Sequence, residues 1–249
     1  MTQAQRDAHE CGIIPEETDA RFLSQHLSAY TFTRQFCRGK RVLEVGFGDG
    51  FGSNYLAEVA EDVTGIDLAP GNIPRASAKY PRPNLRFLQM EGEQLSFPDD
   101  SFDVIGSFQV IEHIPEPQLP AFLTGIRRVL KPDGVCCLST LNLEHNMKPG
   151  RPYEKLRFHE KEFTATELQS LLTRFFHSVE LYGLYMTPRH AVYQRLKRWG
   201  LMNWGPARIN PVARFYDSMT VDAFQTNRGA SRSALDLIAV CRKTASQSA

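Results

Sequence analysis

The segment VLEVGFGDG, residues 42–50, places three glycines at alternate positions directly after a short apolar, β-branched run. The run is typical of a buried strand, and the glycines indicate that it ends in a tight turn. Glycine permits a positive φ and lets a ligand approach the main-chain N–H groups closely. Residues 51–60 have a helical pattern, so the positive end of a helix dipole would face the same ligand. The segment therefore predicts a strand–turn–helix unit that cradles a small ligand with a charged or polar end.

Strand-like and helix-like segments alternate along most of the chain, which is typical of a doubly wound α/β sheet. The predicted strands cover residues 41–45, 63–67, 84–90, 102–108, 135–140, 178–185 and 234–241. The predicted helices cover residues 18–36, 51–60, 71–80, 122–130 and 164–176. We therefore expect one α/β domain at residues 18–249, preceded by a flexible, polar N-terminal arm at residues 1–17.

Two connections within the predicted domain are indicated by their composition. Residues 131–134, KPDG, are expected to form a turn before the fifth strand. Residues 141–158 are mostly polar and contain prolines that oppose regular structure, which indicates a loop over the ligand site.

Residues 186–233 form a predicted helical or loop insertion between the sixth and seventh strands. The insertion contains eight Arg or Lys and only two Asp, with aromatic residues such as Trp199 and Trp204 among them. This composition suits an anionic acceptor or transient contact with a membrane surface. The alternative is a solvated lid on the acceptor side with a small core of its own.

Charge balance and cysteine content bear on partners and location. The chain has 29 Lys or Arg and 28 Asp or Glu, so no global field favours tight, sequence-independent binding to nucleic acid. Five cysteines without a C-x-x-C pair are typical of reduced thiols in the cytosol. The N-terminus lacks an apolar leader core, and no stretch has the roughly 18 apolar residues of a membrane span. We therefore expect a cytoplasmic protein with a small-molecule partner and an oligomeric state that the sequence does not define.

Acidic residues occupy the ends of the second and third predicted strands. Asp67 ends the second strand 17 residues after Gly50, and an acid at this place in doubly wound folds accepts hydrogen bonds from a ribose diol. Glu91 ends the third strand, where a carboxylate can accept from an exocyclic amine and the N–H of Gly92 can donate to a ring nitrogen. These positions favour a nucleoside-containing ligand.

Polar side chains also follow the fourth strand. Gln109, Glu112 and His113 stand at the carboxyl edge of the sheet, where open α/β folds bind ligands. Tyr30 of the first helix either faces the same ligand or belongs to the core. The ligand site is thus expected at one edge of the sheet.

Together these segments make the sequence resemble the class I S-adenosylmethionine-dependent methyltransferases of the small-molecule type. The resemblance covers residues 20–180, with 234–241 as an antiparallel last strand. It implies a Rossmann-like seven-stranded sheet of order 3-2-1-4-5-7-6. The features that carry it are EVGFGDG at 44–50, Asp67, Glu91–Gly92 before LSFPDDSFD at 95–103, and QVIEH at 109–113.

The resemblance implies S-adenosyl-L-methionine as the cofactor. In that family the glycine turn holds the methionine portion, the acid matching Asp67 binds the ribose hydroxyls, and the acid matching Glu91 lies by the adenine amine. Phe108 and Gln109 match positions on the methionine side. The predicted cofactor-binding residues are Tyr30, Glu44, Gly46, Gly48, Gly50, Asp67, Leu68, Glu91, Gly92, Phe108 and Gln109.

Two other nucleotide-binding classes fit the glycine turn less well. A dinucleotide fingerprint, G-x-G-x-x-G, needs a third glycine where this chain has Phe51. A P-loop needs a phosphate-binding lysine after the glycines, and none follows.

His113 is the predicted general base. Methyl transfer from a sulfonium is an in-line displacement on an activated carbon, so positioning supplies the larger share of the acceleration. A hydroxyl acceptor must also lose its proton, and histidine titrates near neutrality. His113 is the best-placed titratable residue for that step.

The segment from Gln109 to His113 also resembles the E-x-x-E-H metal motif of quinone-pathway O-methyltransferases and of small-RNA 2′-O-methyltransferases. Gln109 replaces the first carboxylate, which weakens attraction for a hard cation. His159 occupies the place of a later histidine ligand in the RNA enzymes. Glu112, His113 and His159 are therefore a candidate metal set, and the alternative is that Glu112 and His113 cap the next helix without metal.

The predicted function is O-methylation of a small metabolite, sugar or glycolipid. The pattern H-x-x-x-F-T-x-x-E-L at residues 159–168 resembles methyltransferases of bacterial surface-polysaccharide clusters. Two alternatives stay open: a catalytically inactive S-adenosylmethionine-binding protein that acts through a partner, and an RNA 2′-O-methyltransferase. The identity of the acceptor is not readable from the sequence.

Overall fold

Eight strands form one mixed sheet in a computed structural model that describes residues 12–147, 153–200 and 209–244. The strands are β1 Arg41–Val45, β2 Asp62–Asp67, β3 Leu85–Gln89, β4 Phe102–Phe108, β5 Leu130–Leu141, β6 Ser178–Met186, β7 Phe224–Arg228 and β8 Asp236–Arg242. The helices are α1 Ala20–Cys37, α2 Phe51–Ala57, α3 Asn72–Lys79, α4 Leu119–Val129, α5 Leu143–Asn146, α6 Ala165–Leu172, α7 Pro188–Arg198 and α8 Pro211–Asp217.

The strand order is 3-2-1-4-5-8-6-7, with parallel pairing from β3 to β5 and antiparallel pairing of β8 with both neighbours. The predicted Rossmann-like α/β class and its antiparallel last strand, here β8, are confirmed. The predicted count of seven strands is wrong by one, because the insertion contributes β7. This strand pairs with residues 183–186 of β6 and covers what would otherwise be an open edge.

Local sequence signals account for most element boundaries. Asp19 caps α1 by accepting a hydrogen bond from the N–H of Phe22, and Thr164 forms a capping box with Glu167 at the start of α6. The expected turn at residues 131–134 lies inside β5 instead. Three residues of β4, 102–104, stand opposite six residues of β5, 130–135, so the segment is accommodated as a bulge.

Helices cover both faces of the sheet, and alternate strand residues point to opposite faces. On one face, Leu43 and Ile105 pack with Phe122 of α4 in the main core cluster. On the other face, Val42 packs with Leu56 of α2 in a second cluster that also contains α1 residues. The central strands are buried on both faces, which is why they read as continuous apolar runs.

The insertion has a small core of its own. Leu184 of β6, Val212 of α8 and Phe224 of β7 belong to one buried cluster there, as the lid alternative expects. Trp199 is 75% exposed, and Trp204 lies outside the described residues. Whether residues 186–233 act as a lid remains a prediction.

The N-terminal arm is partly covered by the structure. Residues 1–11, like the prolines of the loop at 148–152, lie outside the described residues. Pro15–Glu17 form a 3-10 turn, and Glu16 pairs with Lys79 at 2.7 Å. Within the described part of the chain, no helix combines the length and apolar character needed to cross a membrane.

Candidate active site

The glycine turn between β1 and α2 has the backbone conformation that its sequence predicts. Gly46, Gly48 and Gly50 have φ of 81°, 57° and 95°, values that side chains other than glycine rarely tolerate. Their N–H groups, however, are already engaged: Gly46 donates to Ile66 O at 2.8 Å and Gly50 to Phe47 O at 2.9 Å. Gly48 donates to Asp67 Oδ2 at 2.8 Å. The expectation that these N–H groups face a ligand is therefore wrong; the glycines supply conformation and space.

Close packing is the second reason for glycine in the turn. A Cβ on Gly46 would lie 2.5 Å from Cγ2 of Val110, and a Cβ on Gly50 would lie 2.9 Å from Cβ of Ala76. Gly52, which the sequence analysis did not single out, is tighter still, because a Cβ there would lie 2.0 Å from the ring of Tyr30. A side chain at Gly46 or Gly52 would therefore displace a residue that lines a cavity, Val110 or Tyr30.

Glu44 lies beneath the turn rather than in the cavity. It is fully buried, and its carboxylate accepts hydrogen bonds from the hydroxyls of Tyr30, at 2.7 Å, and Ser53. Burial raises the pKa of Glu44 to about 7, although both hydroxyl hydrogen bonds oppose the shift. Glu44 thus holds Tyr30, whose ring lies 4.2 Å from that of Phe108, in the cavity wall.

Asp67 joins the turn to the second strand. Oδ2 accepts from the N–H of Gly48, and Oδ1 accepts from the N–H of Ala69 at 2.9 Å and from Asn72 Nδ2 at 3.0 Å. Burial raises the pKa of Asp67, and these hydrogen bonds oppose the shift. The carboxylate is therefore held in one orientation at the cavity, and the following residue, Leu68, is 66% exposed at the same wall.

The third strand end contributes Gly92 but not Glu91. Gly92 lines the large cavity, and a Cβ there would lie 3.0 Å from Phe122 and 3.1 Å from Val45. Glu91 is exposed, accepts from Gln94 Nε2 at 3.1 Å, and is not among the described residues that line the cavity. The structure thus brings ten of the eleven predicted cofactor residues to the turn or the cavity and leaves Glu91 outside.

Two adjoining cavities open at the carboxyl edge of the sheet. The larger, about 1390 Å³, reaches from the turn past Asp67 to Met90 and Gly92. The smaller, about 460 Å³, reaches from the turn past Tyr30 to Asp236. Both are lined by Gly12, Phe22, Gly46, Gly48, Gln109, His113 and His159. A molecule in the first cavity therefore meets a molecule in the second at Gln109 and His113.

Gln109 occupies a strained position where the cavities meet. Its φ is 56°, which is uncommon outside glycine, and its N–H donates to Ser139 O at 2.9 Å. Strain of this kind costs about 1 to 3 kcal/mol and concentrates at functional sites. The bend turns the chain from β4 into the short 3-10 segment Ile111–His113.

Glu112, His113 and His159 come together beside Gln109. Each offers a ligand atom within 4.8 Å of the other two. Glu112 is 1% exposed, its Oε2 makes no hydrogen bond within residues 12–147, 153–200 and 209–244, and burial raises its pKa to about 8. The two imidazole rings lie 4.9 Å apart. The predicted metal set is thus assembled in space, although Glu112 and His159 are 47 positions apart in the chain.

The loop before α6 orients both histidines. His113 Nδ1 lies 2.9 Å from Phe158 O, and His159 Nδ1 lies 2.7 Å from Glu162 Oε1. A carbonyl or carboxylate oxygen only accepts, so Nδ1 carries the proton in each neutral ring and Nε2 becomes the basic nitrogen. Burial lowers the pKa of His159 to about 4, which keeps that ring neutral at physiological pH.

Several residues that line the smaller cavity were not predicted from the sequence. Arg21, Gln25 and His26 of α1, and Asp236 of β8, line the smaller cavity. A signal existed for Asp236: because β8 is antiparallel, its first residue lies at the carboxyl edge of the parallel strands, level with Leu141 at the end of β5. An acidic residue at the start of a strand that is predicted to run antiparallel is therefore expected at the carboxyl edge of the sheet, where the site lies.

Parts of the chain are similar in sequence to known methyltransferases. A model of a methyltransferase domain matches residues 43–138. A probable S-adenosylmethionine-dependent methyltransferase of Mycolicibacterium smegmatis is 37% identical over 148 residues, which cover 59% of this chain and 56% of that protein. The ubiquinone biosynthesis O-methyltransferase of Cereibacter sphaeroides is 37% identical over 107 residues, 42% of either chain. The chain thus spans about half the length of these curated relatives.

Among solved structures, one similar chain is an S-adenosylmethionine-dependent methyltransferase of Thermotoga maritima, described as a possible histamine N-methyltransferase. The TM-score is 0.61 at 15% identity, and the match covers 90% of this chain and 93% of that one. At this identity the likeness concerns the fold alone.

Proposed function

We propose that this chain, a class I S-adenosylmethionine-dependent methyltransferase by its matched domain and its curated relatives, O-methylates a small metabolite, sugar or glycolipid by in-line transfer. The observation that carries the proposal is the pair of cavities that meet at Gln109 and His113. Catalysis of a two-substrate transfer requires the two reactants to be held in contact and in line. A protein that only bound the cofactor would not need the second cavity.

The larger cavity would hold S-adenosyl-L-methionine. Asp67 is oriented to accept from a ribose diol, Gly92 lines the cavity at the end of the third strand, and the three glycines keep the turn free of side chains. When bound, the cofactor supplies an electrophilic methyl group. The protein's own contribution is to fix the donor beside Gln109 and His113, which line both cavities.

His113 is the proposed general base for the acceptor hydroxyl. Its Nδ1 is occupied by the carbonyl of Phe158, so the neutral ring presents a basic Nε2, and the residue lines both cavities. A general base contributes about 10² to 10⁴ in rate. Replacing His113 by Ala should lower kcat by roughly that factor and leave cofactor affinity within a few-fold. Unchanged turnover would eliminate His113 as the base.

A divalent metal is the competing role for the same residues. Glu112, His113 and His159 fit one by ligand type and mutual distance. The buried Oε2 of Glu112, which has no hydrogen-bond partner among the described residues, would gain one. Glu162, bonded to His159 Nδ1, would be the carboxylate that orients a histidine ligand. When bound, such an ion would lower the pKa of an acceptor hydroxyl and thereby replace the base. Metal bound at His113 and proton transfer to His113 exclude each other.

The transfer itself is testable without knowing the acceptor. The purified protein is incubated with methyl-labelled S-adenosylmethionine and separate bacterial extracts of polar metabolites, lipids and total RNA. Label in a metabolite or lipid supports the proposal; label in RNA supports the alternative that the Glu112–His113–His159 cluster favours. Cofactor binding with no transfer to any extract would indicate a binding protein that acts through a partner.

Chelation separates the base from the metal. If His113 is the base, activity survives incubation with EDTA and elemental analysis finds no stoichiometric metal. If the cluster holds an ion, EDTA abolishes activity, added metal restores it, and His159→Ala has the same effect as chelation. Support for O-methylation in particular comes from the named role of the ubiquinone-pathway relative.

A further inference from the structure

A buried relay of polar side chains crosses from α1 to β8 on the floor of the smaller cavity. Arg21 Nη2 donates to Gln25 Oε1 at 3.3 Å, and Gln25 Nε2 donates to Asp236 Oδ2 at 2.9 Å. Gln25 and Asp236 are 8% and 5% exposed. Both ends of the Gln25 amide are therefore used, which fixes the side chain and with it the Asp236 carboxylate.

The Asp236 carboxylate can accept further hydrogen bonds. A carboxylate offers about four acceptor positions, and within the described residues the bond from Gln25 is the one side-chain hydrogen bond that Asp236 makes. Asp236 lines the cavity. A buried carboxylate with so few donors is costly for the fold, so a donor from outside the protein is its natural complement.

The charges around the cavity floor decide what kind of donor fits. Burial raises the pKa of Asp236 to about 6, while the hydrogen bond from Gln25 and the charge of Arg21 oppose the shift, so the carboxylate is an anion near neutrality. Asp236 and the cation Arg21 line the same space. His26, in the same wall, is buried, and burial lowers its pKa to about 4, so it is uncharged near neutrality. The charge of Asp236 is thus offset by Arg21, which favours an uncharged O–H donor over an ammonium group.

We propose, on the basis of the proposed methyl transfer, that Asp236 binds a second hydroxyl of the acceptor, so that the substrates are uncharged molecules with neighbouring hydroxyl groups. The reacting hydroxyl lies by His113 and the second one by Asp236, in one cavity of about 460 Å³. Asp236 is in this scheme a specificity-determining residue. Gln25 is a positioning residue that acts through Asp236.

Periodate tests the substrate class directly, because it cleaves the carbon–carbon bond between neighbouring hydroxyls and spares isolated ones. The probes are the metabolite and lipid extracts, each divided into an untreated half and a half oxidised with periodate, reduced with borohydride and desalted. We expect label transfer to the untreated half and loss of at least 90% of it in the treated half. Undiminished transfer after periodate would overturn the proposal, whereas no transfer to the untreated half would mean that the methyl-transfer function itself has failed.

Asp236→Asn tests the residue. The amide keeps the shape and can still accept from Gln25, but it loses the charge, so KM for the labelled acceptor should rise roughly 10- to 100-fold. The KM for S-adenosylmethionine and kcat should change less than threefold. The control is Asp62→Asn, at the opposite edge of the sheet in an ion pair with Arg86, which should leave all three constants unchanged.

Stability distinguishes recognition from a structural role. If Asp236 serves the acceptor, Asp236→Asn removes a buried charge and leaves Tm equal to that of the wild type or higher. If Asp236 serves the fold, Tm falls and KM stays unchanged, which would overturn the assignment. Gln25→Leu should raise the acceptor KM in the same direction, and an unchanged KM in both variants would refute the relay.

Discussion

Replacing Gly46 by alanine tests why the turn after β1 contains glycine. Gly46 has φ of 81°, and a Cβ there would lie 2.5 Å from Cγ2 of Val110. An L-residue in the left-handed region costs about 1 to 2 kcal/mol, and overpacking adds about 1 to 3 kcal/mol. We therefore expect Gly46→Ala to lower the free energy of unfolding by about 2 to 5 kcal/mol. It should also weaken cofactor binding, because Val110 lines the larger cavity.

Val110→Ala in the same chain separates the two causes. It removes both Cγ atoms and leaves the Cβ of Val110 3.6 Å from the new methyl group, which is an ordinary contact. The double variant should therefore recover the overpacking part, about 1 to 3 kcal/mol, and retain the backbone part. Urea unfolding of the wild type, both single variants and the double variant measures the coupling. Calorimetric titration with S-adenosylhomocysteine measures the affinity.

Gly71→Ala is the matched control for the glycine experiment. Gly71 has φ of −68°, and a Cβ there would meet nothing within 4 Å. Alanine at such a position is neutral or stabilises by about 0.4 to 1 kcal/mol. Crowding against Val110 is not the cause if Gly46→Ala has the same free energy of unfolding as this control. The same conclusion follows if the stability losses of Gly46→Ala and Val110→Ala simply add in the double variant.

Three further predictions concern the walls of the site. The Glu44 carboxyl titrates near 4.5 when unfolded and near 7 when folded, so its stabilising contribution is present at low pH and lost as pH rises through 7. Relative to Glu44→Gln, the wild type should lose about 3 kcal/mol of unfolding free energy between about pH 5 and pH 8; parallel pH profiles would show that Glu44 is not the group. Asp67→Asn replaces one carboxylate oxygen by an NH2 donor, which would face the donor N–H of Gly48. Calorimetry should therefore show roughly 10- to 100-fold weaker cofactor binding. Equal affinity would show that Asp67 does not bind the cofactor. Gly52→Ala would place a Cβ 2.0 Å from the Tyr30 ring. The free energy of unfolding should fall by about 1 to 3 kcal/mol, and the near-ultraviolet circular dichroism of the tyrosine should change. An unchanged spectrum would contradict the close contact between Gly52 and Tyr30.

The edge of the sheet was the most predictable part of the site. A strand end followed by a turn is a local event, so Asp67, Gly92 and Gln109 could be placed at the carboxyl edge from the chain alone. Glu91 shows the limit of that reasoning. The side chain of a residue at a strand end can point along the edge of the sheet or into the cavity. The Glu91 carboxylate accepts a hydrogen bond from its neighbour Gln94 and does not line the cavity.

The same distinction explains the error about the turn. Sequence shows that Gly46 permits a close approach, but it does not show what approaches. In the structure the N–H of Gly46 is bound to Ile66 O of β2, and the space a side chain would take is filled by Val110. Ile66 belongs to β2 and Val110 follows the end of β4, so both neighbours come from distant parts of the chain.

Local patterns determined the order of helices and strands, the antiparallel last strand and the residue types along one sheet edge, because periodicity and turn chemistry depend on near neighbours in the chain. Tertiary structure alone decided the eighth strand and the bond between Gln25 and Asp236 across 211 residues. Such contacts depend on how the elements pack and on which polar groups burial leaves without partners. The contact between Gln25 and Asp236 in the smaller cavity is of that kind, which is why it emerged only with the fold.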